Sequence, residues 1–465
     1  MSILSTLSLA AQALKAQQLA IQTTGHNLAN SATPGFSRQR VDLVSAVPSF
    51  NGGVFIGQGV SVAGVSRVVD NFAEAELLNL HGDVGYSDAQ SRALNGIQDA
   101  FPVSGGVNSA LSDFFAALSD LSNNPGGMSE RVSVIARARA LGGSLSQTRQ
   151  ILTSLQSNLD GDLQSAAQRV NNLTEQIAGL NQKISTTEVG GERANDFRDQ
   201  RQTLLQELTN LTGATSREDT NGQVTVTIGG LLLVGGARFA TLDSSATNGA
   251  GLHSVTYRSP DGTSFDASAL ITDGKIGSTL AARDGQVQDV IDRLDVFAQT
   301  LVTQFNSQHA AGITLTGVAG GNLFKPIATT AGAATNVQVD AALEGDPRLI
   351  AAAASATAVP GDNRNALALI GLRSTNIAAL GGATLEDNFL SLVGDIGTRA
   401  QAAQSRAEFQ QALLTSTQAR RESASGVNVD EEMTNLIQFQ RAFEASSMLV
   451  RSADQMYQSL IDMVK

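Results

Sequence analysis

Residues 1–40 read MSILSTLSLAAQALKAQQLAIQTTGHNLANSATPGFSRQR. Leu7, Leu14, Ile21 and Leu28 recur every seven residues, and Leu4, Ala11 and Gln18 stand three residues before the first three of them. That spacing predicts a helix with one narrow apolar seam of the coiled-coil type. The other faces carry Ser, Thr, Gln and Ala, with Lys15 the one formal charge before Arg38. A lone helix of this kind is marginal in water, because nucleation and chain entropy outweigh its hydrogen bonds. Its seam therefore needs a second helix. Pro34 drives Thr33 out of the α region, and Pro34-Gly35 suits a tight turn, so the helix ends there.

Residues 428–465 supply a partner. Leu436, Phe443, Val450, Tyr457 and Val464 again recur at seven, and Ile437, Phe439, Leu460 and Ile461 broaden the stripe. Asn428 suits an N-cap, with Glu431 placed for a capping box. Asp430, Glu431 and Glu432 sit at the positive end of the helix dipole, and Lys465 at the negative end. Two arrangements satisfy this pattern. Either the terminal helices close on each other and the rest is an insertion, or each packs separately on a central domain.

The string Asn27-Leu28-Ala29-Asn30-Ser31-Ala32-Thr33-Pro34-Gly35-Phe36-Ser37-Arg38-Gln39 resembles the N-terminal signature of bacterial flagellar axial proteins, the rod, hook and hook-associated family. Its signature positions here are Asn27, Asn30, Thr33, Pro34, Gly35, Ser37, Arg38 and Gln39. The stretch Ser425-Gly426-Val427-Asn428-Val429-Asp430-Glu431-Glu432, followed by residues 438–446 with Gln440, resembles the same family. Within it, the Ser-Gly-Val-Asn opening and the run Phe305–Gly312, with Asn306, His309 and Gly312, resemble the hook-associated members of the hook–filament junction. Hook or distal-rod proteins are the alternative, and the His309 run and the long helix described below speak against them.

The resemblance implies paired terminal helices and a structural adaptor joining hook to filament, outside the cell. It implies export through the flagellar type III channel with an uncleaved signal. The implied partners are further copies in a ring at the hook tip, hook protein, the second junction protein and an export chaperone. The two seams then form the subunit interface, ordered only on assembly.

Between the termini the periodicity predicts a mainly α chain with an inserted β domain. Val54–Ile56 and Val60–Val62, punctuated by Gly52-Gly53, Gly57 and Gly59, suggest a β-hairpin arm. Helices are expected over Asn71–Phe101 and Ser109–Leu121. The longest covers Glu130–Ile184, with Leu145, Leu152, Leu159, Ala166, Leu173 and Leu180 at seven. Forty such residues span about 60 Å. Asn195–Leu211 should pack through Phe197, Leu204, Leu208 and Leu211.

At Thr215 the period switches to alternation, Val224, Val226 and Ile228 against Thr225 and Thr227. Strands are also expected at Leu231–Val234, Phe239–Leu242, Val255–Tyr257 and Val337–Val339. Helix returns at Gly277 and again over Leu385–Glu422, with Phe389, Leu392, Ile396, Ala403, Phe409 and Leu413 inward. The resulting domains are an inner one (1–40 plus 426–465), a helical body with its arm (41–214 plus 275–425) and the β insertion (215–274).

The chain has 465 residues, a formal charge of −12, 4% aromatics and no Cys. The charge argues against a nucleic-acid partner, and the missing Cys excludes disulfides and thiolate chemistry. The first residues lack a basic n-region, so no cleaved signal peptide is expected. No run reaches the roughly 18 apolar residues of a membrane span. His26, His81, His253 and His309 are scattered, so no metal site is expected, and His309 reads as a packing or capping residue. Acidic pairs such as Asp199/Glu207 read as solvated helix surface. No phosphate loop or nucleophile–base pattern appears, so neither cofactor nor catalysis is expected. A cytosolic coiled-coil scaffold remains the alternative from a different class.

Overall fold

The computed structural model describes residues 3–51, 54–102 and 104–464. The N-terminal helix is α1 (Ile3–Ala29). It is followed by β1 (Gln39–Ser45), β2 (Ser49–Asn51), β3 (Val54–Ile56) and β4 (Val60–Arg67). Helices α2 (Asn71–Asp99), α3 (Val107–Asn123), α4 (Met128–Glu188) and α5 (Asn195–Thr212) come next. Seven short strands follow: β5 (Thr215–Glu218), β6 (Val224–Ile228), β7 (Leu231–Gly235), β8 (Arg238–Phe239), β9 (Thr241–Asp243), β10 (Thr256–Arg258) and β11 (Ser264–Asp266). The chain closes with α6 (Gly274–Ala281), α7 (Val287–Ala310), β12 (Ile313–Thr314), α8 (Ala341–Gly345), β13 (Ala351–Ala353), α9 (Arg364–Gly371), α10 (Leu385–Ser425) and α11 (Val429–Val464). It is mainly α, with small sheets inserted.

The 61 residues of α4 make a rod of about 90 Å, and two cores form along it. The first joins Leu141, Leu145 and Leu152 to α3, α7, α9 and the first half of α10, around Phe114, Phe297, Phe305 and Phe324. The second joins Leu163, Val170, Leu173 and Ile177 to α5, α6 and the sheets. The heptad row from Leu145 to Leu180, and the second row Leu163, Val170, Ile177 and Ile184 beside it, are therefore both buried over their whole length. Asn181 fastens the sheet to the rod: its amide donates to the Val224 and Gly236 carbonyls, and its Oδ1 accepts from Val224 N–H. The strands form sheets in the orders β5-β6-β7-β8 and β11-β10-β9. In β6, Val224, Val226 and Ile228 face inward.

Several elements depart from the sequence expectation. The arm is two hairpins: β1 pairs with β4, and beyond it β2 pairs with β3. Gly52-Gly53 lies outside the described residues. The strand expected over Phe239–Leu242 breaks at Ala240, whose N–H turns to the Leu233 carbonyl. Val337–Val339 forms only a single bridge, Val339 to Phe324. Helix α5 buries Leu205, Leu208, Thr209 and Thr212, leaving Phe197, Leu204 and Leu211 half-exposed. In α10, Phe409 and Leu413 are exposed and Leu414 is buried. Past Ala403 that helix leaves the main core and packs chiefly on α2, so a narrower stripe suffices to cover it.

Helices α1 and α11 do pair with each other, and α1 also rests on β1 and β4. The contact is not the leucine seam. The buried side chains are Ala10, Ala16, Ala20, Thr23, Thr24 and Asn27 on α1, with Glu432, Ser446 and Ala453 on α11. Leu7, Phe443 and Tyr457 are exposed, and Leu14, Ile21, Leu28, Leu436 and Val450 are half-buried. Small side chains let two helices approach closely, and the interaxial distance follows the residues at the contact. Long side chains are then displaced to the flanks. The side chains of Leu4 and Val464 lie outside the described residues, as do Met1 and Lys465.

Candidate assembly site: a polar clasp at the base of the terminal pair

Where α1 ends, three distant stretches meet. The turn Thr33-Pro34-Gly35-Phe36 closes with Phe36 N–H on the Thr33 carbonyl at 3.2 Å. Gly35 sits at φ 81°, the conformation a type II turn demands. A Cβ there would also stand 2.6 Å from Thr203 Oγ1 of α5. Asn30 seals the end of α1, its amide donating to the His26 carbonyl at 3.0 Å and its Oδ1 accepting from Thr33 Oγ1 at 3.2 Å.

Asn27 is the centre of the clasp and is 1% exposed. Its amide donates to the Gln39 carbonyl at 2.8 Å and to Glu432 Oε2 at 3.0 Å, and its Oδ1 accepts from Gln39 N–H at 2.9 Å. Glu432, itself buried, takes a second bond from Arg38 Nε at 2.7 Å. Arg38 also reaches Glu431 at 3.2 Å, and its backbone N–H meets the Ser425 carbonyl at 2.9 Å. This single knot ties α1, the chain after it and the first turn of α11.

A second layer joins the knot to the body. Asp199 of α5 accepts from Ser37 N–H at 2.9 Å and from Arg67 at 2.6 Å. Gln39 donates to Asp196 at 2.7 Å. Arg421 of α10 reaches Glu74, Ser37 Oγ and the Gly35 carbonyl. Asp199 is thus a buried, paired carboxylate, which corrects the solvated-surface reading. Glu207 keeps an exposed pair with Arg169.

At the start of α11, Asn428 caps as expected, accepting from Asp430 and Glu431 N–H at 3.0 and 3.3 Å. The expected capping box does not close, because the Glu431 carboxylate faces Arg38. Gly426 packs tightly on the end of α10, its N–H on the Glu422 carbonyl at 2.8 Å. Asp430 and Gln440 are exposed.

The other quoted run builds a separate joint in the body. His309 is fully buried. Its Nδ1–H donates to the Gly321 carbonyl at 2.7 Å, and its Nε2 accepts from Ala351 N–H at 2.9 Å. Burial pushes its pKa below the ordinary imidazole value. Asn306 holds the same loop, donating to the Phe324 carbonyl and accepting from Leu323 and Phe324 N–H. At Gly312 any Cβ would stand 2.0 Å from the Asn365 amide. These residues fasten backbone to backbone and hold no reacting geometry. Among the described residues no cluster of three potential metal ligands occurs, and no helix is long and apolar enough to cross a membrane.

Sequence reasoning missed Arg67, Glu74 and Arg421 in the clasp, and Asn195, whose amide donates to the Val65 carbonyl at 2.9 Å. Their partners lie far away in the chain, 347 positions apart in the case of Glu74 and Arg421. The one available signal was the polar run 195–201, richer in charge than a solvent face needs.

The chain is similar to known flagellar proteins. Residues 94–324 match the family model described as the flagellar hook-associated protein FlgK helical domain. Residues 419–463 match that of the flagellar basal body rod FlgEFG protein C-terminal region. The flagellar hook-associated protein 1 of Bacillus subtilis (strain 168) is 30% identical, over 98% of this chain and 97% of its own length. The chain belongs to the flagellar hook-associated protein 1 family. Its Escherichia coli (strain K12) relative is 25% identical over 98% of this chain and 99% of its own length. The structure of the flagellar hook junction protein FlgK from Burkholderia pseudomallei shares the fold, with a TM-score of 0.67 at 16% identity. That match covers 76% of this chain and 100% of the other. In this hook-associated protein 1 family member, the two terminal signatures meet in the knot of the clasp, and Asp199, Arg67 and Arg421 join that knot to the body.

Proposed function

We infer that this chain is a structural adaptor of the bacterial flagellum, joining hook to filament. The observation that carries the reading is the terminal pair: held to the body by the clasp, it presents Leu7, Phe443, Leu449, Tyr457, Leu460 and Ile461 to solvent. An apolar face of that extent marks an interaction surface. Leu14, Ile21, Leu28, Leu436 and Val450, half-buried beside it, complete a seam for neighbouring subunits.

Copies associate in a ring at the hook tip, with hook protein on one side and the second junction protein on the other. Before assembly an export chaperone covers the apolar stripe of α11, as a groove covers an amphipathic helix. The chain travels through the type III channel without a cleaved signal and works outside the cell. Its role is structural: the buried polar residues of the signatures, Asn27, Asn306 and His309, fasten backbone. The division of labour follows the three regions, with 1–40 plus 426–465 inside, 41–214 plus 275–425 as body and arm, and 215–274 outermost.

Immunogold labelling of purified hook–filament complexes from cells carrying a tagged chain tests the reading. Gold is expected at the junction, and a deletion strain is expected to lack attached filaments. Gold absent from the junction, or unaltered flagella in the deletion strain, overturns it.

A further inference from the structure

We propose that the β1–β4 arm docks on a second copy of this chain, its Phe50–Phe55 pair entering the groove between α4 and α5 of that neighbour. The inference rests on the junction role and names the contact that links one copy to the next.

Phe50 and Phe55 face each other across β2 and β3, with ring centroids 5.0 Å apart. They are 66% and 71% exposed, and Val47 beside them is more exposed still. In this chain aromatics are scarce, and Phe114, Phe297, Phe305 and Phe324 are fully buried. A tilted aromatic pair left in water at the end of an arm is apolar surface awaiting cover.

The groove between α4 and α5 has the matching chemistry. It holds about 530 Å³ and is lined by Leu180, Leu204, Gly179, Lys183 and Gln176. The Lys183 ammonium already lies 5.7 Å from the centroid of the Phe197 ring. An incoming ring brings it a second π face. Gly179, like Gly143 and Gly161 of the same helix, has no atom within 4 Å of where a Cβ would be. A helix-interior glycine costs roughly 1 kcal/mol against alanine. Here it leaves a notch beside the two leucines.

Arm and groove both flank the terminal pair. The arm runs along α1, and at the far end of the β1–β4 hairpin Leu9 stands 3.2 Å from a Cβ built at Gly59. Thr203, which lines the groove, also touches the Gly35 turn of the clasp. The two surfaces are thus continuous with the seam assigned above to subunit packing. Because knob and groove are different patches of one chain, the contact is heterologous and repeats from copy to copy, as a ring or helical row requires.

The absence of Cys makes the test clean. A chain carrying Phe55→Cys and Gln176→Cys is assembled in cells, and isolated hook–filament complexes are oxidised with diamide. The expected result is a ladder of disulfide-linked copies on a non-reducing gel, with either single variant remaining monomeric. Gold-labelled junctions that give no ladder, or a ladder from Phe55→Cys alone, overturn the arm-to-groove contact while leaving the junction role intact. Gold absent from the junction overturns both.

Gly179→Leu supplies an independent arm of the test. It fills the notch without meeting the subunit's own atoms at Cβ, so the soluble chain should melt no lower than the parent. In the Phe55→Cys, Gln176→Cys background it should abolish the ladder. An undiminished ladder would show that the rings seat elsewhere.

Discussion

Glu432 and His309 carry two different kinds of constraint. Glu432 is a buried charge satisfied by Asn27 and Arg38. Without Glu432, Arg38 keeps Glu431 and Asn27 keeps the Gln39 backbone, so the cost is that of the lost bonds to a charged group, roughly 1.5–3 kcal/mol. Glu432→Ala should therefore lower the temperature at which the chain leaves purified hook–filament complexes, and Glu432→Gln should lower it less. His309 is neutral in the fold, since a proton on Nε2 would set it against the Ala351 N–H. Its pKa is depressed in the folded state, so the unfolded chain takes up the proton first. Stability is then complete above the unfolded value of about 6.5 and declines as pH falls below it, towards the folded value. The paired carboxylates with lowered pKa, such as Asp160 and Glu188, act only below about 4.3. The urea midpoint of the soluble chain should accordingly fall between pH 7.5 and 5. Part of that slope should disappear in His309→Gln, and an unchanged slope would place it elsewhere.

At the scale of elements, the terminal pair separates two roles that a heptad merges. The alanines of α1 are covered, and Leu7, Leu14, Ile21 and Leu28 keep part of their surface in solvent. Ala20→Leu should wedge the pair apart, since overpacking a close contact costs roughly 1–3 kcal/mol. Leu7→Ala should leave the pair intact and weaken assembly. Incorporation of each variant into hook–filament complexes, alongside amide protection of the pair within them, separates the cases. Equal protection in parent and Ala20→Leu, with normal incorporation, would show that the alanines set nothing. Helix α4 shows the converse: its two heptad rows are both internal, because partners lie along each side.

For the molecule as a whole, the energetics divide the chain in two. The body has two extended cores, while the terminal pair buries mostly Ala, Thr and Ser. Burying a large aliphatic side chain gains roughly 1.5–3 kcal/mol, and ordering each residue costs roughly 1–2 kcal/mol. Alanines contribute little to that balance. The pair should therefore exchange its amide protons rapidly across Leu7–Leu28 and Leu436–Tyr457 in the free chain, and become protected on assembly. Strong protection before assembly would show that the pair folds unaided. Truncation at Ser425 should abolish chaperone binding for the same reason, by removing the uncovered stripe.

What the sequence determined by itself was periodic and local. The heptads of α4 and the terminal helices, the alternation in β6, the Pro34-Gly35 turn and the Asn428 cap were all legible, because each depends on neighbours within a few residues. The terminal signatures were legible as a family resemblance before their geometry was known. Only the tertiary structure decided which face of a helix is covered. Ala16 and Ala20 rather than Leu14 and Ile21 lie inside, and Leu205 rather than Leu204, because the choice depends on how near a partner stands. It also decided the clasp. The pairing of Asn27 with Glu432 and of Ser37 with Asp199 joins stretches that share no local pattern, and their charges look solvated until the fold takes the water away.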